Sequence, residues 1–202
     1  MEVVNKEENR FIEIMQMIHK SLSNAIRSAK ADAGRAWLKQ RGLTAEVTGA
    51  CYNSGQIHHR KKKEFIEDLA SVGFLRKLKK PSRTGEPSYG CFQWHTVVFP
   101  LKNEKGFVVN FFGVSTKNGK ILYLNEQGIY PGYPDARTKR LYIVPTIMDA
   151  ATLLESKTLR NQDSVMALFE GKYKEQHREV LKAFAGKLDE VIFIKREETE
   201  EP

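Results

Sequence analysis

The sequence predicts an α+β fold in which helices lead into an antiparallel meander and a βαβαβ parallel sheet closes the chain. Three observations carry it. Residues 7–30 place Phe11, Ile14, Met15, Ile18, Leu22 and Ile26 at three- and four-residue spacings, the mark of an amphipathic helix. Residues 92–125 hold three runs rich in β-branched and aromatic residues, 96–99, 107–112 and 121–124, separated by Asn-Glu-Lys-Gly and Lys-Asn-Gly-Lys turns. Beyond residue 139, apolar runs of strand length alternate with runs of helix length, which implies parallel strands joined by right-handed crossovers.

After the first helix a second is expected over 32–40, with Ala36, Trp37 and Leu38 buried and Gly42 as its stop signal. Thr44 is placed to cap a short helix. Residues 61–72 form a further helix with Phe65, Ile66 and Leu69 inward and Gly73 closing it, and 80–90, KPSRTGEPSYG, is loop by composition. Pro100 is expected to end the first meander strand, because proline donates nothing to a ladder. Trp94, Phe111, Phe112, Tyr123, Tyr130 and Tyr133 cluster about the meander. Alternate ones on each strand belong to the core, and the remainder suit stacking on unpaired bases. Gly128, Pro131, Gly132 and Pro134 mark 127–139 as a linker, dividing the chain into 1–136 and 137–202. The second part reads as strand 141–144, helix 147–154, strand 164–169, helix 174–184 and strand 190–194. There is no internal repeat.

Composition narrows the function. At 41% hydrophobic and 29% charged the chain is an ordinary globular sequence. It has no apolar run near the roughly 18 residues that span a bilayer, so no membrane association is expected. The first residues lack a secretory signal, and two cysteines without a Cys-x-x-Cys pair exclude a zinc ribbon, which points to the cytoplasm. The net charge of +8 is concentrated in His58-His59-Arg60-Lys61-Lys62-Lys63 and Arg76-Lys77-Leu78-Lys79-Lys80, while the last residues are mostly glutamate. Such runs suit a polyanion; the plain alternative is two solvated helix ends. His58-His59 is not expected to bind a metal, since adjacent residues rarely face one ion and no ligand is spaced to assist. Cys91 has no constellation for a thiol nucleophile, and neither a Gly-x-Ser-x-Gly elbow nor a phosphate-cradling glycine loop occurs.

A set of motifs runs in order through most of the chain. It comprises Leu-Lys-x-Arg-Gly-Leu-Thr (Leu38 to Thr44), Val-Gly-Phe-Leu at 72–75, Val-x-Phe-Pro-Leu-x-Asn-x-x-Gly (Val97 to Gly106), Val-Val-Asn-Phe-x-Gly (Val108 to Gly113), Tyr-Leu-Asn at 123–125, and Met-Asp-Ala entering the βαβαβ unit. In this it resembles the catalytic core of a bacterial-type DNA primase. The resemblance implies a primase-core amino-terminal subdomain followed by a partial TOPRIM-like unit, the fold that handles nucleotide transfer in the family.

The departures bear on activity. The family's Glu-Gly after the first TOPRIM strand is Pro145-Thr146 here, and only Asp149 is kept. The paired aspartates that hold Mg²⁺ after the third strand are matched by Arg196-Glu197-Glu198, so Glu198 at best replaces one. Val114 stands where the family has an arginine and Leu122 where it has a lysine, and neither preserves a phosphate contact. Glu170-Gly171 mimics the Glu-Gly signature, but that register leaves too short a chain before Glu198 for the TOPRIM order. The family's zinc-ribbon and helicase-binding modules are absent, so the chain reads as either an excised fragment or a shortened natural relative.

The expectation is a primase-related module of DNA replication or of a mobile element, not catalytically active in polymerisation. It needs no cofactor and binds single-stranded DNA or RNA, with replication or mobile-element proteins as further partners. Its contacts are expected from Arg60, Lys61, Lys62, Lys63, Arg76, Lys77, Lys79, Lys80 and Arg83, with Tyr123 and Asn125 at the old template groove. Two alternatives stand beside it. One is an active Mg²⁺-dependent nucleotidyltransferase or nuclease using Asp149, Glu170 and Glu198; the other is a protein-interaction module without nucleic acid.

Overall fold

A computed structural model describes residues 2–59, 61–81, 83, 85 and 87–195. Helix α1 (Glu2–Ala25) is followed by α2 (Asp32–Gln40), α3 (Ala45–Thr48), strand β1 (Cys51–Asn53), helix α4 (Lys63–Ser71), and strands β2 (Leu75–Lys77) and β3 (Tyr89–Cys91). The meander is β4 (Thr96–Lys102), β5 (Val108–Ser115) and β6 (Ile121–Tyr123). Then come β7 (Arg140–Val144), α5 (Ile147–Glu155), β8 (Asp163–Ala167), α6 (Glu175–Phe184) and β9 (Glu190–Phe193). No helix among the described residues is long and apolar enough to cross a membrane.

The meander is antiparallel throughout and gains a fourth strand, in the order β1-β4-β5-β6. Both faces of its central strands are covered, which is why β5 is buried at consecutive positions. On one face α1 sets Ile14, Met15, Ile18 and Leu22 against Val98, Val108 and Phe111, with Leu69 of α4 beside them. On the other, Val97, Phe99, Phe112 and Val114 meet Trp37 and Leu38 of α2, then Val144, Ile147, Val165 and Phe169 of the second half. One apolar cluster thus draws on residues from both sides of the 127–139 segment. The parallel sheet, in order β8-β7-β9, turns Leu141 and Ile143 to its far side, where Val180 of α6 closes a third cluster.

Several expectations are corrected. Pro100 does not end its strand: β4 continues to Lys102 and Pro100 lies opposite Phe111. Lys102 N–H donates away from β5, to the Ile129 carbonyl. By alternation the Pro100 nitrogen faces that same side, past Cys51 where β1 stops, so no ladder bond is forfeited. Residues 80–90 are not all loop, since Tyr89–Cys91 pairs with Leu75–Lys77. The first helix ends at Ala25 rather than running to residue 30, although Ile26 stays buried. Ala36 is exposed while Trp37 and Leu38 are buried. Phe111 and Phe112 are both core, because neither face of β5 meets solvent. The 127–139 segment is less of a linker than its prolines suggest: Ile129 bridges to Lys102, and the buried Tyr130 donates its hydroxyl to the Thr48 carbonyl at 2.8 Å.

Candidate nucleic-acid interface

The two basic runs, distant in sequence, border one cleft through His58 and His59 of the first and Leu78 of the second. β1 ends in Asn53, whose Oδ1 accepts from Gly55 N–H at 2.9 Å, and the chain turns through His58 and His59 before α4 begins. His58 reaches the β2–β3 hairpin, its ring 6.5 Å from that of Tyr89. The hairpin places Arg76 opposite Gly90 and Lys77 opposite Tyr89. The cleft, about 380 Å³, is lined by residues 54–56, His58, His59, Leu78, Tyr89, Gly90, Cys91, Trp94 and His95.

Its floor is held by buried polar bonds. Asn53 Nδ2 donates to the carbonyls of Phe92 and Gln93, and Thr116 holds the His95 carbonyl with its N–H at 3.0 Å and its hydroxyl at 2.9 Å. Between these anchors Gln93 and His95 take positive φ, 23° and 55°, a region non-glycine residues seldom occupy. The result is that Trp94 projects outward, 69% exposed. Gly55, at φ +79°, lies directly behind it: a Cβ there would sit 2.6 Å from the Trp94 Cβ.

The cations are available. Lys61 Nζ lies 5.6 Å above the Phe65 ring, and Lys63 pairs with Glu67 at 3.7 Å between two highly exposed side chains, an interaction worth little. Lys62, Arg76, Lys77, Lys79, Lys80 and Arg83 are exposed and make no ion pair among the described residues. Arg60 lies outside the described residues. Burial, with the neighbouring His59 charge, holds His58 below the usual imidazole range, and burial pushes the Cys91 thiol up to about 11, so the cleft offers no ready thiolate.

Asp149, Glu170 and Tyr123 lie at the carboxyl edge of the parallel sheet. Asp149 closes a capping box at the start of α5: its Oδ2 accepts from Thr146 N–H at 3.1 Å and from the Thr146 hydroxyl at 2.7 Å, while Thr146 Oγ1 accepts from Asp149 N–H. Glu170 follows β8 in a turn with φ 50°, fastened to the end of β7 by Gly171 N–H donating to the Pro145 carbonyl at 2.8 Å. Tyr123 stacks on Phe169 with ring centroids 4.5 Å apart and donates its hydroxyl to Glu170 Oε1 at 3.2 Å. Asn125 turns inward, its Nδ2 donating to the Val109 carbonyl and its Oδ1 accepting from Gln127 N–H, both at 2.8 Å. Val114 is buried in the shared core and Leu122 is 42% exposed on the edge strand. Glu198 lies outside the described residues. Among the described residues no three His, Cys, Asp or Glu side chains converge as a metal site.

No protein-family model matches the chain, and no characterised protein matches it by sequence. Solved structures do. A DnaG primase catalytic domain bound to ssDNA superposes with a TM-score of 0.75 at 18% identity, over 96% of this chain and 63% of that one. The E. coli primase catalytic core matches with a TM-score of 0.70 at 20% identity, over 90% and 61%. The RNA polymerase domain of Mycobacterium tuberculosis DnaG in complex with double-stranded DNA matches with a TM-score of 0.69 at 15% identity, over 95% and 65%. The chain therefore has the fold of the primase catalytic core, and it spans less than two thirds of the length of each of these structures.

Proposed function

Starting from a chain folded as primase catalytic cores are, we propose a nucleic-acid-binding module that holds single strands through charge and does not polymerise. The observation that supports binding is that both basic runs border one cleft, through His58 and His59 of the first and Leu78 of the second. Lys61, Lys62 and Lys63 follow His58 and His59 of one wall in the chain, with Arg60 before them in sequence. Arg76, Lys77, Lys79 and Lys80 lie on or follow the hairpin of the other, and Arg83 extends that arm. The similar structures carrying ssDNA and double-stranded DNA make a polyanionic partner the economical reading. In this reading residues 1–136 supply the contact surface, and residues 137–202 form a partial TOPRIM-like unit that buttresses it. Tyr123 and Asn125 hold the structure together rather than touching the strand.

Binding by charge releases counterions. If about four phosphates are neutralised, log K falls with log salt at a slope near −3, at roughly 0.7 per phosphate for single strands. Fluorescence anisotropy across a salt series is expected to give that slope, and replacing Arg60, Lys61, Lys62 and Lys63 by alanine is expected to flatten it. An affinity that ignores salt would remove the reading.

The absence of polymerisation is argued from the carboxylates. The primase fold implies Mg²⁺ at the carboxyl edge of the parallel sheet, and Mg²⁺ wants well-placed carboxylates that leave room for its waters. Asp149 has one oxygen engaged twice by Thr146, and Glu170 accepts the Tyr123 hydroxyl, so each serves the fold. This donor set does not fit the ion. Calorimetry is expected to find no micromolar Mn²⁺ site. Tight binding abolished by Asp149→Ala would restore the nucleotidyltransferase reading.

A further inference from the structure

The cleft between the basic walls carries more than charge. Its most prominent feature is Trp94, an indole held outside the core at 69% exposure by backbone on either side that is pinned into positive φ. The hairpin wall is aromatic and apolar, from Tyr89 and Leu78. The other wall carries the imidazoles of His58 and His59. The volume, about 380 Å³, lies at the small end of ligand clefts.

We propose that this cleft captures one unpaired nucleobase of a bound single strand, stacked on Trp94 with its polar edge turned to His58. Three features select that ligand. A flat π-surface in contact with water suits a planar heterocycle, and base–aromatic stacking needs no particular base. The imidazoles of His58 and His59 suit the polar edge of a base and not an aliphatic or lipid group. Lys77 stands opposite Tyr89 in the hairpin ladder, a cation beside the aromatic wall for the strand's phosphates. A base inside a duplex offers neither face, so the cleft discriminates single from double strands. This inference rests on the single-strand reading above and adds to it a base-dependent contact.

The test compares a short labelled oligothymidylate with an abasic strand of the same length and phosphate count, on the full chain. Wild type is expected to bind the abasic strand on the order of 10-fold more weakly, the lower range of one base stack. Trp94→Ala is expected to bind both strands alike with the salt slope unchanged, and Trp94→Phe to recover part of the difference. Because Trp94 is exposed, circular dichroism and the thermal midpoint of Trp94→Ala should match wild type. Equal wild-type affinity for the two strands would overturn base capture while leaving charge-driven binding intact. An equal loss on both strands in Trp94→Ala would also overturn it. If neither strand binds, both readings fall together. A thymidine monophosphate arm separates the sources of the base: competition by the free nucleotide at concentrations matching the strand's own affinity would make this a nucleotide site and not a strand contact.

Discussion

Asn110→Leu is expected to cost about 4 kcal/mol of stability. Asn110 is fully buried in β5 and uses its whole amide. Nδ2 donates to the Asn125 carbonyl at 2.8 Å and the Gln127 carbonyl at 2.9 Å, while Oδ1 accepts from the N–H groups of Phe111 at 2.7 Å and Asn125 at 3.0 Å. Leucine keeps the branched shape without the polar atoms and is bulkier, so the change removes the polar term and adds some overpacking. It strands two carbonyls and two N–H groups, each at about 1–3 kcal/mol, with partial relief where the 125–127 turn approaches solvent. Urea denaturation should show a lowered midpoint with an unchanged slope, the sign of altered stability and not of altered compactness. A loss below about 1 kcal/mol would mean that the turn rearranges and that Asn110 does not hold it.

The same turn shows what was legible in the sequence. The Val-Val-Asn-Phe-x-Gly and Tyr-Leu-Asn motifs marked both asparagines, and the antiparallel meander, α2 and the βαβαβ order all follow from apolar periodicity. That periodicity records which side of an element is buried, and it misleads where both sides are. β5 is buried at seven consecutive positions, so Phe111 and Phe112 could not be sorted by alternation, and Val114 stands in core where the resemblance implies an arginine. Strands as short as β1 and β3 carry too few residues for any period to register. Spacing does not reveal that the Asn125 amide bonds to Val109 and Gln127.

The interface was legible as charge and not as shape. The two basic runs are visible in the sequence, but their convergence depends on a loop and a hairpin meeting through His58 and Tyr89, a contact between residues far apart in the chain. The one local signal was Trp94, an aromatic beside two residues that need unusual backbone, and exposure cannot be read from a single tryptophan. At the carboxyl edge of the parallel sheet, Asp149 was recognisable as a kept carboxylate. Its role as the partner of Thr146 was equally written in the spacing, since a hydroxyl followed three residues later by an acid is a helix-start pattern.

Tyr123→Ala is the second substitution with a large expected effect, and it separates a strand contact from a structural joint. The ring lies 4.5 Å from Phe169 and 4.8 Å from Phe112, so it bridges the meander to the end of β8 within the shared core cluster. Truncating an aromatic in such a position costs about 3 kcal/mol, at the low end for core rings because Tyr123 is only partly buried. Tyr123→Phe keeps the stack and removes only the bond to Glu170 Oε1, with an expected cost of about 1 kcal/mol. Because one cluster joins residues on both sides of 127–139, the loss in Tyr123→Ala should appear as a lower midpoint of a single thermal transition, not as one half melting early. Single-strand affinity and its salt slope, measured where the variant is folded, should equal those of wild type. The opposite pattern, wild-type stability with weakened binding, would return Tyr123 to the strand and relocate the interface toward β6.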